Sequence, residues 1–156
     1  MTSTGKQIID FDARQNALDI TRSIAVQAPA GSGKTELLSL RFLKLLAACQ
    51  YPEEVLAITF TKKAANEMAQ RILNTLEWAQ QVDPQNIDTQ LKRDKYNIAN
   101  SVLEQDKKEA WQLLQSPNRL PIQTIDSCCN FLASKLPILS TFGSPLPLTH
   151  QIDASY

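Results

Sequence analysis

Two glycines followed directly by a lysine and a hydroxyl can hold a triphosphate. They occur together in "APAGSGKT", the run Ala28, Pro29, Ala30, Gly31, Ser32, Gly33, Lys34 and Thr35. Gly31 and Gly33 let the backbone turn so that successive N–H groups line a nest for anionic oxygens. Lys34 carries an ammonium suited to β- and γ-phosphates, and the Thr35 hydroxyl can ligate Mg²⁺. The run opens on alanine where the usual pattern has glycine. That position only starts the turn, so Ala28 is expected to cost little. A flexible Gly/Ser turn that happens to precede Lys-Thr is the plain alternative.

The elements around the loop favour the phosphate reading. "SIAVQA", Ser23 to Ala28, reads as a short buried strand. "TELLSLRFLKLLAAC" reads as a helix from about Gly33 to Ala48, with Leu38, Phe42, Leu45 and Leu46 on one face. Strand, glycine loop and helix N-terminus together aim a helix dipole at a phosphate. Farther along, "EVLAITF", Glu54 to Phe60, reads as a second buried strand. "KKAANEMAQRILNTLEWAQQ" follows as a helix whose Ala65, Met68, Ile72, Leu76 and Ala79 share a face. Pro84 breaks the pattern. A polar helical region then runs from about Leu91 to Gln115, anchored by Tyr96, Leu103, Trp111 and Leu114. "LPIQTIDS" reads as a third strand leading into a short helix, "CCNFLASKL", and from Pro137 the text is Pro-rich. Strands separated by helices imply an α/β fold with a parallel sheet.

A second group of residues sits at the end of the second strand. Thr59, Phe60, Thr61 and Lys62 offer an aromatic face, hydroxyls and a cation above a helix N-terminus. Such a set suits single-stranded nucleic acid. Phe60 in the core, with Lys62 and Lys63 as a solvated first turn, explains the same residues.

"APAGSGKTELL", "LAITFTKKAANEM" and "IQTIDSCC" resemble, in order and spacing, the first, Ia and Ic motifs of superfamily 1 DNA helicases. The resemblance is to the UvrD/Rep/RecB/AddA group, especially its RecB-like and AddA-like bacterial branch, and spans about Asp12 to Phe142. Members of that group also open the phosphate loop with alanine. The resemblance implies a RecA-like P-loop domain carrying a helical insertion at about residues 77–120 and a loop-rich stretch at about 137–156. It implies ATP with Mg²⁺ on Ala28–Thr35, and Gln15 of "DARQNAL" reading the adenine edge. It further implies single-stranded DNA at Phe60, Thr61 and Lys62 and again at Thr124 and Asp126. Many relatives have histidine where Asp126 stands, and a carboxylate repels phosphate. Asp126 is therefore expected to accept an N–H hydrogen bond or to cap the following helix, which leaves Thr124 the better DNA contact. The implied activity is ATP-dependent 3′–5′ unwinding of DNA in repair or recombination, with a partner nuclease or helicase subunit in full-length relatives.

Parts of that machinery are not found in the sequence. Hydrolysis needs an Asp-Glu pair after an apolar strand and arginines from a second RecA-like domain. "LPIQTID" ends in a carboxylate, but Gln123 and Thr124 interrupt its apolar run and Ser127 stands where the Glu belongs. The expectation is an N-terminal piece of a helicase that binds ATP without useful turnover. One rival is a non-catalytic nucleotide- or DNA-binding remnant. Another is a small-molecule kinase, which needs an arginine-bearing lid, whereas Arg119 is the last arginine.

Composition bounds the reading without deciding it. The chain has 156 residues, enough for one domain with a core. Its formal net charge is zero, so no global field favours nucleic acid or an anionic membrane. No signal core or membrane-spanning run is evident, which points to the cytoplasm. Cys49, Cys128 and Cys129 form no disulfide or metal pattern, His150 is the sole histidine, and the cysteines are expected to be buried fillers.

Overall fold

The structure is a computed structural model that describes residues 12–27, 29 and 31–135. Residues 12–17 form a helical segment, α1. Four longer helices and two short strands follow: α2 (Lys34–Leu46), β1 (Ala57–Thr59), α3 (Lys62–Gln81), α4 (Gln90–Glu109), β2 (Ile122–Thr124) and α5 (Ile125–Lys135). β1 and β2 pair in parallel, with Ala57 opposite Ile122 and Thr59 opposite Thr124. A parallel pair needs a long crossover, supplied here by α3 and α4. The described chain is thus helix-rich with a small parallel sheet.

Local chemistry sets most element ends. Thr61 caps α3 by accepting from the Ala64 N–H at 3.1 Å, and Thr89 caps α4 by accepting from Lys92 N–H at 3.4 Å. The expected apolar face of α3 is buried at all five positions, Ala65, Met68, Ile72, Leu76 and Ala79. It packs with Leu40, Phe42, Leu43 and Leu46 of α2 and Ala99, Val102 and Leu103 of α4 into one core. Trp78 meets Tyr96 edge-on at 6.4 Å across the α3–α4 seam.

Several expectations are corrected. Residues 23–27 are irregular and exposed rather than a buried strand. A strand needs a ladder partner, and among the described residues the sheet contains only β1 and β2. The second strand is shorter than expected and not buried, since Leu56 and Ile58 on one of its faces are exposed. On α2, Leu38 is exposed and Leu43 takes its place in the core. α4 stops at Glu109 instead of reaching Gln115, because Ala110 adopts a left-handed φ of 53°. The turn is fixed by Asp106, whose carbonyl accepts from Trp111 N–H at 3.1 Å and whose carboxylate accepts from Leu113 N–H at 3.0 Å. Trp111 then enters the core at 2% exposure. The cysteines are not buried fillers: Cys49 and Cys128 are half-buried and Cys129 is exposed. α5, which carries two of them, contributes no buried residue to the core. The Pro-rich stretch from Pro137 lies outside the described residues.

Candidate functional site

Glycine geometry shapes the loop before α2. Gly31 has φ 77° and Gly33 has φ 81°, left-handed values that side chains with a Cβ resist. Gly33 is also the N-cap of α2, so Lys34 and Thr35 are the first two residues of that helix. The first N–H groups of a helix lack intrahelical partners and carry the positive end of its dipole. Ser32 N–H reaches Pro29 O at 3.3 Å, closing a turn across the loop. Lys34 Nζ donates to Pro29 O at 2.7 Å, so its ammonium folds back over the loop. The buried Ser32 Oγ has no hydrogen-bond partner. Ala28 and Ala30 lie outside the described residues.

Two arginines hold the lead-in against this loop. Arg41 of α2 donates to the carbonyls of Ala17 at 2.7 Å, Asp19 at 2.8 Å and Arg22 at 2.6 Å. Arg14 of α1 donates to Ser32 O at 3.2 Å. A cleft of ≈ 260 Å³ lies where the lead-in meets the loop, lined by Arg14, Ile24, Val26, Ser32, Gly33 and Lys34 among others. Gln15 does not line it; its amide donates to Asp94 Oδ2 of α4 at 2.9 Å. Glu36, in the first turn of α2, brings negative charge near the loop, and Lys95 of α4 answers it at 3.3 Å. Just ahead of the loop, the Thr21 hydroxyl and N–H donate to Asp19, holding its carboxyl below the ordinary aspartate range.

The second group assembles at the C-terminal end of the sheet. Because Thr59 pairs with Thr124, the turn Phe60–Lys62 and the turn into α5 lie side by side. Phe60 is 90% exposed, which removes its core reading. Lys62 and Lys63 are solvated, and Lys63 faces Glu67 at 3.9 Å. Thr61 spends its hydroxyl on the α3 cap. Thr124 is only 6% exposed, and its hydroxyl bonds Ser127 Oγ at 2.9 Å and accepts from Ser127 N–H at 3.2 Å. Thr124 therefore caps α5, the role expected of Asp126. Asp126 is exposed in the first turn of that helix.

Sequence reasoning singled out neither Arg14, Arg41, Asp94 nor the Glu36–Lys95 pair. Only Arg14 carried a local signal, as the neighbour of Gln15. The other contacts join residues far apart in the chain. Among the described residues no group of three or more His, Cys, Asp or Glu could hold a metal ion, and no helix is long and apolar enough to cross a membrane.

A glycine loop opening a helix, together with two parallel strands that each run into a helix N-terminus, defines a helix-rich protein with a small parallel sheet. The chain belongs to the UvrD/REP helicase N-terminal domain family, whose model matches residues 9–146. It is 40% identical over 89 residues to an ATP-dependent helicase/nuclease subunit from Moorella thermoacetica, covering 55% of this chain and 6% of that protein. With the ATP-dependent DNA helicase Rep of Escherichia coli it shares 40% identity over 65 residues, 40% of this chain and 10% of that protein. With the corresponding helicase/nuclease subunit from Lactobacillus helveticus the identity is 50% over 54 residues, 35% of this chain and 4% of that protein. The chain thus spans a tenth or less of the length of these relatives. No solved structure matches it.

Proposed function

We propose that this chain is the ATP-binding portion of an ATP-dependent DNA helicase, with a RecA-like fold and α4 forming much of a helical insertion at about residues 77–120. The observation that carries the reading is the pair of left-handed glycines placed immediately before Lys34 and Thr35 at the start of α2. A buried serine hydroxyl without a partner in the same loop fits a site that awaits an anion. Loop N–H groups and Lys34 hold the triphosphate, and Thr35 holds Mg²⁺ beside it. The metal supplies charge neutralisation on the phosphates. Gln15 reads the base only by giving up its bond to Asp94.

Single-stranded DNA lies across the C-terminal end of the sheet. Phe60 stacks a base, and the α3 N-terminus with Lys62 meets phosphate. Thr124 supports this surface as a cap, and Asp126 takes a base-edge or backbone donor. In the longer protein this portion works in 3′–5′ unwinding for repair or recombination, in the cytoplasm and beside a partner nuclease or helicase. Hydrolysis in that setting calls for an orienting carboxylate and for arginines from a second domain.

Calorimetry with Mg-ATP tests the loop. Lys34→Ala should weaken binding by about 2–3 kcal/mol, the range for a charge-assisted contact left unmade. Unchanged affinity in the folded variant overturns the assignment. DNA-stimulated phosphate release by the wild-type chain, abolished in Lys34→Ala, would instead show that its own residues complete the hydrolytic site.

A further inference from the structure

We propose that Arg14 is a positioning residue of the phosphate loop, acting through the Ser32–Gly33 peptide. The inference rests on reading the loop as a triphosphate site. Arg14 Nη2 donates to the Ser32 carbonyl at 3.2 Å. A Cβ built on Gly33 would stand 3.6 Å from Nη2 and 3.9 Å from Nη1, so the guanidinium also lies close beside Gly33. The described chain has no cis peptide bonds. In a trans peptide the C=O and N–H point in opposite directions. Holding the Ser32 carbonyl toward α1 therefore turns the Gly33 N–H away from α1, as a donor on the far side of the loop.

This restraint matters because Gly33, on one side of the unit, is a glycine. Gly31 and Gly33 both adopt left-handed φ and have no Cβ to oppose rotation of the intervening peptides. Ser32 N–H is held by Pro29 O and the Gly33 carbonyl by Leu37 N–H, so Arg14 supplies the hydrogen bond on the Ser32 carbonyl between them and narrows the direction of the Gly33 N–H before an anion arrives. Arg14 sits one residue before Gln15, and Arg41 fastens the end of α1 and the segment after it to α2 through three carbonyls. The clasp is thus mounted on a fixed support. Arg14 orders the loop before the triphosphate binds and need not touch it.

The test is calorimetric titration with Mg-ATP and with inorganic triphosphate plus Mg²⁺, alongside melting without ligand. Arg14→Ala should weaken both ligands about tenfold, the scale of one lost charge-assisted hydrogen bond. The melting temperature should stay close to wild type. Arg14→Met, which keeps an apolar stem without a donor, should show the same loss. Arg14→Lys, which restores a donor, should recover most of the affinity. Wild-type triphosphate affinity in Arg14→Ala or Arg14→Met, with Lys34→Ala defective, overturns the clasp and leaves the nucleotide site standing. Failure of the wild-type protein to bind either ligand overturns both.

Discussion

Where α2, α3 and α4 meet, apolar side chains are closed to solvent; along the sheet and α5 they are open. Leu43, Leu46, Ile72, Leu76, Val102 and Leu113 are all fully buried in the first region. In the second, Leu56, Ile58 and Phe60 alternate on one exposed face of the β1 segment, with Ile125, Phe131 and Leu132 of α5 also exposed. The residues read as chemical lie at the end of the sheet, on the glycine loop or, for Gln15, on α1, and none belongs to the sealed apolar core. Fold stability and ligand contact are therefore carried by different side chains, so substitution can separate them.

The largest effect should come from the sealed side. Ile72 is fully buried at the centre of α3. Ile72→Ala removes its packing and leaves a cavity, at about 2–5 kcal/mol. Urea denaturation of the variant should show that loss in midpoint. Against a typical total of about 5–15 kcal/mol, it is a substantial fraction. If Ile72→Ala melts like wild type, the contrast between the two regions fails.

How much of this was legible in the sequence follows the same division. α3 could be read from Lys62 to Gln81 with all five apolar positions of its buried face, because its period and length are local signals, whereas the buried Thr75 was not read. The parallel sheet was legible as a class, but the first strand was not placed correctly. Ser23–Ala28 has strand composition, yet a ladder depends on partners that composition does not specify. The end of α4 was hidden for a similar reason. Ala110 is a poor candidate for a left-handed turn, and only the tertiary fit of Trp111 with Asp106 selects it. The glycine loop was legible because its geometry is written in residue type. Its clasp by Arg14 was not, since that contact spans eighteen residues and has no pattern.

A smaller effect is expected on the open side, and it should leave stability alone. Phe60→Ala removes a ring that is 90% exposed, so it takes almost nothing from the core. If that ring stacks a base, binding of a labelled single-stranded oligonucleotide should weaken by about 1–3 kcal/mol. Residual binding through Lys62 and the helix N-termini should fall as salt rises. Fluorescence anisotropy of wild type and variant, with their melting curves, makes the comparison. Equal DNA binding would remove Phe60 from the interface, and a large drop in melting temperature would return it to a packing role.

The smallest effect concerns an ion pair at the entrance to the sheet, where the open side begins. Arg119 donates from Nε and Nη2 to the Glu53 carboxylate at 2.8 and 3.2 Å, and from Nη1 to Trp111 O at 3.2 Å. It thereby joins the turn before β1 to the turn before β2. These bonds hold the Glu53 carboxyl below its ordinary 4.5, and the same bridge raises Arg119. A carboxyl depressed in the folded state contributes stability above its unfolded value and loses it as pH falls through the folded one. For Arg119 the corresponding loss lies at pH above the ordinary arginine range, outside any useful window. Glu53→Gln should therefore melt slightly below wild type at neutral pH, with the difference closing in acid below the ordinary glutamate range. Because the pair is largely exposed, salt should also shrink the difference. A gap that persists unchanged into acid would mean that Glu53 acts by packing and that charge does not join the two turns.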